Sequence, residues 1–316
     1  MKLLHKYQNG NYQVELFEDG TKVRTSPDGE FNAEYPDSID LKITNNCSFG
    51  KISHGKVTSK ICGFCHEQSF QGGQHASKDT IETLLDYFDD APNGMEVAMG
   101  GGNALSHPEI LYIAREMNKR GIILNLTHNQ LHLDQDSETL NTLTREGLVY
   151  GLGISYRGVV TNSLRAISHH KGFVLHVISG VDKPDDVLET ITELKTKNVL
   201  ILGYKDFGNG SKFMSGEVEK RKREWYNKLA PFVASVLRQG GNVLFDNLAD
   251  EQLNVRRLFK EQTEYDTYYN GADGTHTFYI DASTGMFGRN SCAPAEDRRT
   301  IENTSFKQML AYVKTV

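Results

Sequence analysis

Ser38-Ile-Asp-Leu-Lys-Ile-Thr-Asn-Asn-Cys47, separated by fourteen residues from Cys62-Gly-Phe-Cys65, is the stretch from which the fold is read. A short apolar strand over 40–44 runs straight into a loop that carries three of the four cysteines. Downstream, apolar runs of strand length recur at 96–99, 122–127, 150–155, 173–178 and 199–204. Amphipathic segments separate them, which is the rhythm of βα units around a parallel sheet. After the cysteines, Ser77 is placed to cap a helix that aligns Ile81, Leu84, Leu85 and Phe88 on one face. The next helix carries Ile110, Ile113, Ala114 and Met117 and stops at Gly121.

The expected fold is therefore α/β: a partial (βα)6 TIM-type barrel over residues 36–215. Ahead of it, Asn9-Gly10 and Asp19-Gly20 flank the alternating segment Tyr12-Gln-Val-Glu-Leu-Phe17 and predict a β-hairpin extension over 1–35. Behind it, a charged helix over 218–238 and two apolar runs, Asn242-Val-Leu-Phe-Asp246 and Thr277-Phe-Tyr-Ile-Asp281, form an α/β extension over 216–316. That extension is expected to complete or flank the barrel.

The chain has 316 residues, 38% of them hydrophobic and 24% charged, enough to bury a full core without disulfides. A net charge of −6 argues against wrapping nucleic acid through phosphate contacts alone, although the total leaves a local basic groove open. No run approaches the roughly 18 apolar residues of a membrane span, and the N-terminus lacks the apolar core of a signal peptide. The expectation is a cytoplasmic protein with no membrane partner.

In a reducing compartment, Cys47, Cys62 and Cys65 point to metal before disulfide. Thiolates suit an iron-sulfur cluster, and three ligands on one iron cube leave the fourth iron open for chemistry. The same residues serve equally well as a zinc site completed by His54, His66 or His75, or as a thioredoxin-like redox pair.

Phe64 stands just before the last cysteine of the loop, and Met99-Gly-Gly-Gly-Asn103 ends the second strand. Thr127-His-Asn129 ends the third strand, Gly153-Ile-Ser-Tyr-Arg157 the fourth and Gly203-Tyr-Lys-Asp-Phe-Gly208 the sixth. With the cysteines, these segments resemble the radical S-adenosylmethionine (SAM) superfamily over about residues 38–210. Phe64 resembles the aromatic residue that this family sets beside the adenine. The glycine-rich strand end is similar to the one that binds the methionine amino group, which places Gly101, Gly102 and Asn103 around SAM. The resemblance further implies that Asn129 lies in the SAM site, that Ser155 bonds the ribose and that Arg157 pairs with the carboxylate. Gly203 would meet the adenine through its backbone.

Two positions depart from the pattern. The family commonly spaces its cysteines CxxxCxxC, and the longer interval here is similar to an insertion in some 7-carboxy-7-deazaguanine synthases. Asn103 stands where a glutamate is frequent.

The resemblance implies a 4Fe-4S cluster and SAM as cofactors, reductive cleavage of SAM to a 5′-deoxyadenosyl radical, and an external one-electron donor of flavodoxin or ferredoxin type. The expected substrate is a nucleobase, nucleoside or other small heterocycle, because the chain lacks the cysteine-rich C-terminal extension of peptide-modifying relatives. The alternatives are a peptide, to which the hairpin would add a strand, and a non-catalytic zinc module. Lys205, Asp246 and Asn247 are the candidate substrate contacts, with helix capping as their competing explanation. Cys292 is the candidate hydrogen donor to a substrate radical, set against an inert loop cysteine. Tyr265, Tyr268 and Tyr269 either cover an aromatic substrate or pack.

Overall fold

The computed structural model describes residues 2–48, 52–53, 56–57, 62–269 and 271–316. Three antiparallel strands come first: β1 (Leu3–Asn9), β2 (Tyr12–Phe17) and β3 (Lys22–Thr25). Both expected turns form, with Gly10 and Gly20 at positive φ of 59° and 86°. The predicted hairpin is thus extended to a meander by a third strand of four residues, too short to show as an alternating run.

The main body opens with β4 (Ser38–Lys42), the short pair β5 (Ile52–Ser53) and β6 (Lys56–Val57), and α1 (Lys78–Asp89). It continues through β7 (Glu96–Gly100), α2 (Ile110–Lys119), β8 (Ile123–Asn129), α3 (Ser137–Arg145), β9 (Gly151–Ser155), α4 (Asn162–Ile167), β10 (Phe173–Ile178), α5 (Pro184–Leu194) and β11 (Asn198–Leu202). Beyond lie α6 (Asn209–Phe213), α7 (Gly216–Arg238), β12 (Asn242–Phe245), α8 (Asn247–Leu253) and α9 (Gln262–Tyr268). The chain closes with β13 (Thr277–Asp281), β14 (Met286–Gly288), β15 (Arg299–Thr300) and α10 (Phe306–Val313).

One ten-stranded sheet runs in the order β12-β11-β10-β9-β8-β7-β4-β13-β14-β15. From β12 to β13 every pairing is parallel, and only β14 and β15 join antiparallel. The edge strands β12 and β15 do not pair with each other among the described residues, so the sheet is an open, partial barrel. The segment after residue 216 adds β12 to one edge and β13 to the other, beside β4.

Strand alternation separates two environments. Ile39 and Leu41 of β4, Val97 and Met99 of β7, Leu124 and Leu126 of β8, and Leu175 and Val177 of β10 join the helices in one core. Each such side chain contributes about 1.5–3 kcal/mol by leaving water. α1 packs by Ile81, Leu84, Leu85 and Phe88, and Ser77 caps it by accepting from the Thr80 amide, as its sequence requires. The opposite face of the sheet carries Asp40, Ala98, Asn125, Thr127, Gly153 and His176, with Val174, Ile178, Leu200 and Leu202 toward the β10–β11 side, so the lumen is polar on its β4–β9 side, where Asp40 and Thr127 remain exposed.

The N-terminal sheet sits at the N-terminal ends of the barrel strands. Asp37, fully buried one residue before β4, accepts from Arg24 Nε at 2.5 Å, Asn9 Nδ2 at 2.8 Å and Tyr12 Oη at 3.1 Å. Burial alone would raise the Asp37 carboxyl, yet Lys22 and Arg24 outweigh it and hold it below the usual carboxylate range. Lys22 reaches Glu96 at 2.5 Å, and Tyr150 donates to the Phe17 carbonyl at 2.8 Å. Among the described residues, no helix is long and apolar enough to cross a membrane.

Candidate functional site

Strand β4 ends at Lys42, earlier than the predicted 44, because the chain there leaves the sheet to meet the end of β7. The Gly102 amide donates to Thr44 O at 2.8 Å and the Asn103 amide to Asn46 O at 2.7 Å. A β-carbon on Gly102 would stand 2.3 Å from Asn46 O, and one on Gly101, whose φ is +118°, 2.5 Å from Thr44 O. These glycines let two backbones touch, and so carry Cys47 to the C-terminal end of the sheet. The Cys47 amide is held in turn by Phe70 O at 2.9 Å.

Cys62 and Cys65 close a turn in which the Cys65 amide donates to Cys62 O at 2.8 Å. The loop after β11 pins this turn, with the Asn209 amide donating to Cys65 O at 3.1 Å and Gly208 against the His66 backbone. All three cysteines are half-buried thiols, none joined in a disulfide among the described residues. Cys62 Sγ lies 3.6 Å from Arg157 Nη2, and the Arg157 guanidinium covers the Phe64 ring at 4.6 Å. Burial pushes the Cys62 thiol up to about 11, although Arg157 opposes it. A metal at such a sulfur takes the place of the proton. Cys47 Sγ lies 3.6 Å from His132 Nε2.

By its chemistry the donor set fits an iron-sulfur cluster: three thiols at the C-terminal ends of the strands, with the Arg157 guanidinium and the His132 imidazole beside them. Among the described residues, no three His, Cys, Asp or Glu side chains lie together as ligands of one metal ion. His66 pairs with Glu67 at 3.3 Å and His75 with Thr44 Oγ1 at 2.8 Å, while His54 lies outside the described residues.

Other expected SAM contacts have partners of their own. Asn103 Oδ1 caps the 3-10 turn Ala104–Ser106, and its Nδ2 donates to Asp136 at 2.7 Å. Asn129 Oδ1 caps the turn Gln130–His132 through the Leu131 amide at 3.0 Å. The Gly203 amide donates to Asp246 Oδ1 at 2.9 Å. Ser155 stands beside His176 in the register of β9 and β10, and its hydroxyl makes no hydrogen bond among the described residues. The buried Arg157 Nε is also unpartnered there, so one face of the guanidinium can still serve an anion.

Of the candidate substrate contacts, Asp246 caps α8 through the Ala249 amide at 2.7 Å and Asn247 bonds Asp273, both structural uses. Lys205 reaches His66 Nε2 at 3.3 Å and Ser291 Oγ at 2.9 Å. That contact brings the loop bearing the exposed Cys292 to the barrel mouth. Tyr265 and Tyr269 stack at 5.4 Å, and both Tyr265 and Tyr268 contact the Phe259 ring.

Sequence reading missed a polar chain beside the turn. Lys42 bonds Glu67 at 2.7 Å and Asp281 at 3.2 Å, and Tyr279 donates to Glu67 at 3.2 Å. Although burial would raise Glu67, His66 and Lys42 bring it down to about 2. The signal was the pair His66-Glu67 directly after Cys65. Two further histidines were also missed. His176 fills the space a Gly153 β-carbon would occupy, with Nδ1 unpartnered, and burial pushes it down to about 4. His128 is buried with neither ring nitrogen hydrogen-bonded among the described residues.

The geometry is that of a partial barrel with a cysteine loop at the C-terminal ends of its strands. No family model and no curated protein matches the chain. Solved structures do. SuiB of Streptococcus suis bound to S-adenosylmethionine superposes with a TM-score of 0.58 at 12% identity, over 85% of this chain and 64% of SuiB. SuiB bound to its precursor peptide SuiA gives 0.54 at 13% identity, over 81% and 59%. SuiB alone gives 0.52 at 13% identity, over 81% and 60%. This chain thus shares the fold of SuiB, an open α/β barrel with a parallel sheet. The chain spans about three fifths of the length of SuiB.

Proposed function

We propose that the chain is a radical SAM enzyme in which Cys47, Cys62 and Cys65 hold a 4Fe-4S cluster and SAM lies against Phe64 and Arg157. The observation that carries this reading is the convergence of Cys62, Phe64 and Arg157 in one contact set at the C-terminal mouth, where barrels of this type place their chemistry. When bound, the cluster and SAM together supply a 5′-deoxyadenosyl radical that removes hydrogen from a substrate.

The chain's own residues bind and orient. Arg157 has its Nε and an aromatic-backed face left for the SAM carboxylate, a charge-assisted contact that gains strength where water is scarce. Ser155 offers a hydroxyl to the ribose. Gly153 keeps the wall low, so His176 can project into the lumen beneath. Asp40 faces the same lumen, where enclosure by the barrel walls, partly countered by Lys205, raises it to about 6.

For the substrate, a peptide is the better supported class, since SuiB shares this fold over most of the chain and binds a precursor peptide. The small heterocycle, expected from the cysteine spacing and from the lack of a cysteine-rich extension, has no support beyond those sequence features. The N-terminal sheet docks at the opposite end of the barrel, so strand addition there would leave a peptide far from the cysteines. The open side of the barrel, between the edge strands β12 and β15, is the alternative entry. Electrons would come from a flavodoxin- or ferredoxin-type donor.

Anaerobic reconstitution is expected to load about four irons and four sulfides per chain. With dithionite and SAM the loaded protein should release 5′-deoxyadenosine, and Cys62→Ala should lose both properties. A colourless wild-type protein that yields no deoxyadenosine ends the proposal. Comparing that release with unmodified peptides and with nucleosides then decides the substrate class.

A further inference from the structure

We infer that His132 is a positioning residue that donates an N–H to the Cys47 sulfur and thereby raises the reduction potential of the cluster held there. The inference rests on the cluster reading above and on contacts that reading does not use.

His132 is buried at 2% exposure, and its ring is held at both nitrogens. Nε2 lies 3.6 Å from Cys47 Sγ, within the range of a hydrogen bond to sulfur, and Nδ1 lies 2.9 Å from Ser48 Oγ. The ring belongs to the turn Gln130–His132, which Asn129 caps at the end of β8, so it is fixed to the sheet and not to the loop it touches. Ser48 also contacts Gln135 at 3.1 Å.

A thiolate bound to iron has no proton and can only accept. The imidazole must therefore present its hydrogen on Nε2. The Ser48 hydroxyl, which donates to Gln135 Oε1 at 3.1 Å in the structure, then turns its one proton to Nδ1, and a half-turn of the Gln135 amide offers it an N–H in exchange. Reduction adds one negative charge to the cluster, and an N–H aimed at a ligating sulfur favours the reduced form. Removing the donor makes reduction harder.

The test is a potentiometric titration, followed by electron paramagnetic resonance, of the reconstituted full chain as wild type, His132→Leu, His132→Asn and His132→Gln. Glutamine extends its amide to about the place of Nε2 and keeps a donor at the sulfur. Asparagine reaches only as far as Nδ1, keeping the Ser48 contact and losing the sulfur. Leu and Asn are expected to lower the reduced-to-oxidised ratio roughly tenfold at the wild-type midpoint, about 59 mV for one electron, while Gln stays near wild type. Iron content per chain is measured alongside, so that a poorly folded Leu variant leaves the Asn and Gln pair to decide. Equal potentials in all variants, or a Gln shift as large as that of Asn, overturn the inference while leaving the cluster reading intact. A wild type that takes up no cluster overturns both.

Discussion

The two mouths of the barrel treat polar groups in opposite ways. At the N-terminal mouth, Asp37, Asn9, Tyr12, Arg24, Lys22 and Glu96 share one buried set of hydrogen bonds and ion pairs, with the Tyr7 hydroxyl as an exception. Along the lumen, Arg157 Nε and His176 Nδ1 are buried without hydrogen-bond partners among the described residues; behind the sheet, at the end of β8, so are both nitrogens of His128, whose Nε2 stands 3.6 Å from Asp136. A satisfied network stabilises, whereas an unsatisfied group costs stability unless something binds to it. One mouth is therefore built for stability and the other for occupancy.

The largest expected effect lies at the stable mouth. Asp37→Ala removes the fully buried carboxylate that Arg24, Asn9 and Tyr12 share and should cost about 3–5 kcal/mol, read as a lower urea midpoint. Iron uptake at the far mouth should survive in the fraction that remains folded. A loss under about 1 kcal/mol would break the contrast.

Gly102→Ala comes next. Its β-carbon meets the Asn46 carbonyl, which as backbone cannot swing aside, so about 1–3 kcal/mol is expected together with weaker retention of iron during gel filtration. Wild-type stability and iron content would show that this backbone contact does not position Cys47.

Arg157→Lys keeps the charge but gives up the flat fork stacked on Phe64. Calorimetry on the loaded protein should show SAM binding about tenfold weaker, or about 1.4 kcal/mol. Unchanged affinity would remove Arg157 from the SAM site.

The smallest effect has the opposite sign. Burial, reinforced by His132, pushes the His128 imidazole down to about 4, so the folded chain holds it neutral while the unfolded chain protonates it near 6.5. Its contribution to stability is complete above about pH 6.5 and is lost as pH falls toward 4. His128→Leu should add about 1 kcal/mol at neutral pH and flatten the decline over that interval. A destabilised variant would mean that the imidazole is a used partner and would blur the distinction between the mouths.

Much of the barrel was legible because strand alternation and helix faces are local signals. Phe173–Ile178 and Thr277–Asp281 match the predicted strands residue for residue, and Ser77 caps where its hydroxyl predicted. What stayed hidden was non-local. Nothing in Thr277–Asp281 says that it pairs beside β4, more than two hundred residues away, and β3 is too short to announce itself. In the candidate site, the cysteines, Phe64 and Arg157 were singled out from motif order, and Cys62, Phe64 and Arg157 do lie in contact. The amides of Asn103 and Asn129 were read as ligand contacts, and the structure employs both as caps, a use that looks identical in sequence. His132 could have been suspected from its four-residue spacing to His128, but only the folded turn shows which sulfur it faces.

The two ends of the cysteine segment are fastened independently, Cys47 by Phe70 and the tip of β7, Cys65 by the loop after β11. Whatever length of chain is spliced between them, neither anchor has to move. The interval that sets this sequence apart from the common spacing can thus lengthen or shorten like a span between two fixed piers, and its size carries no information about where the sulfurs stand.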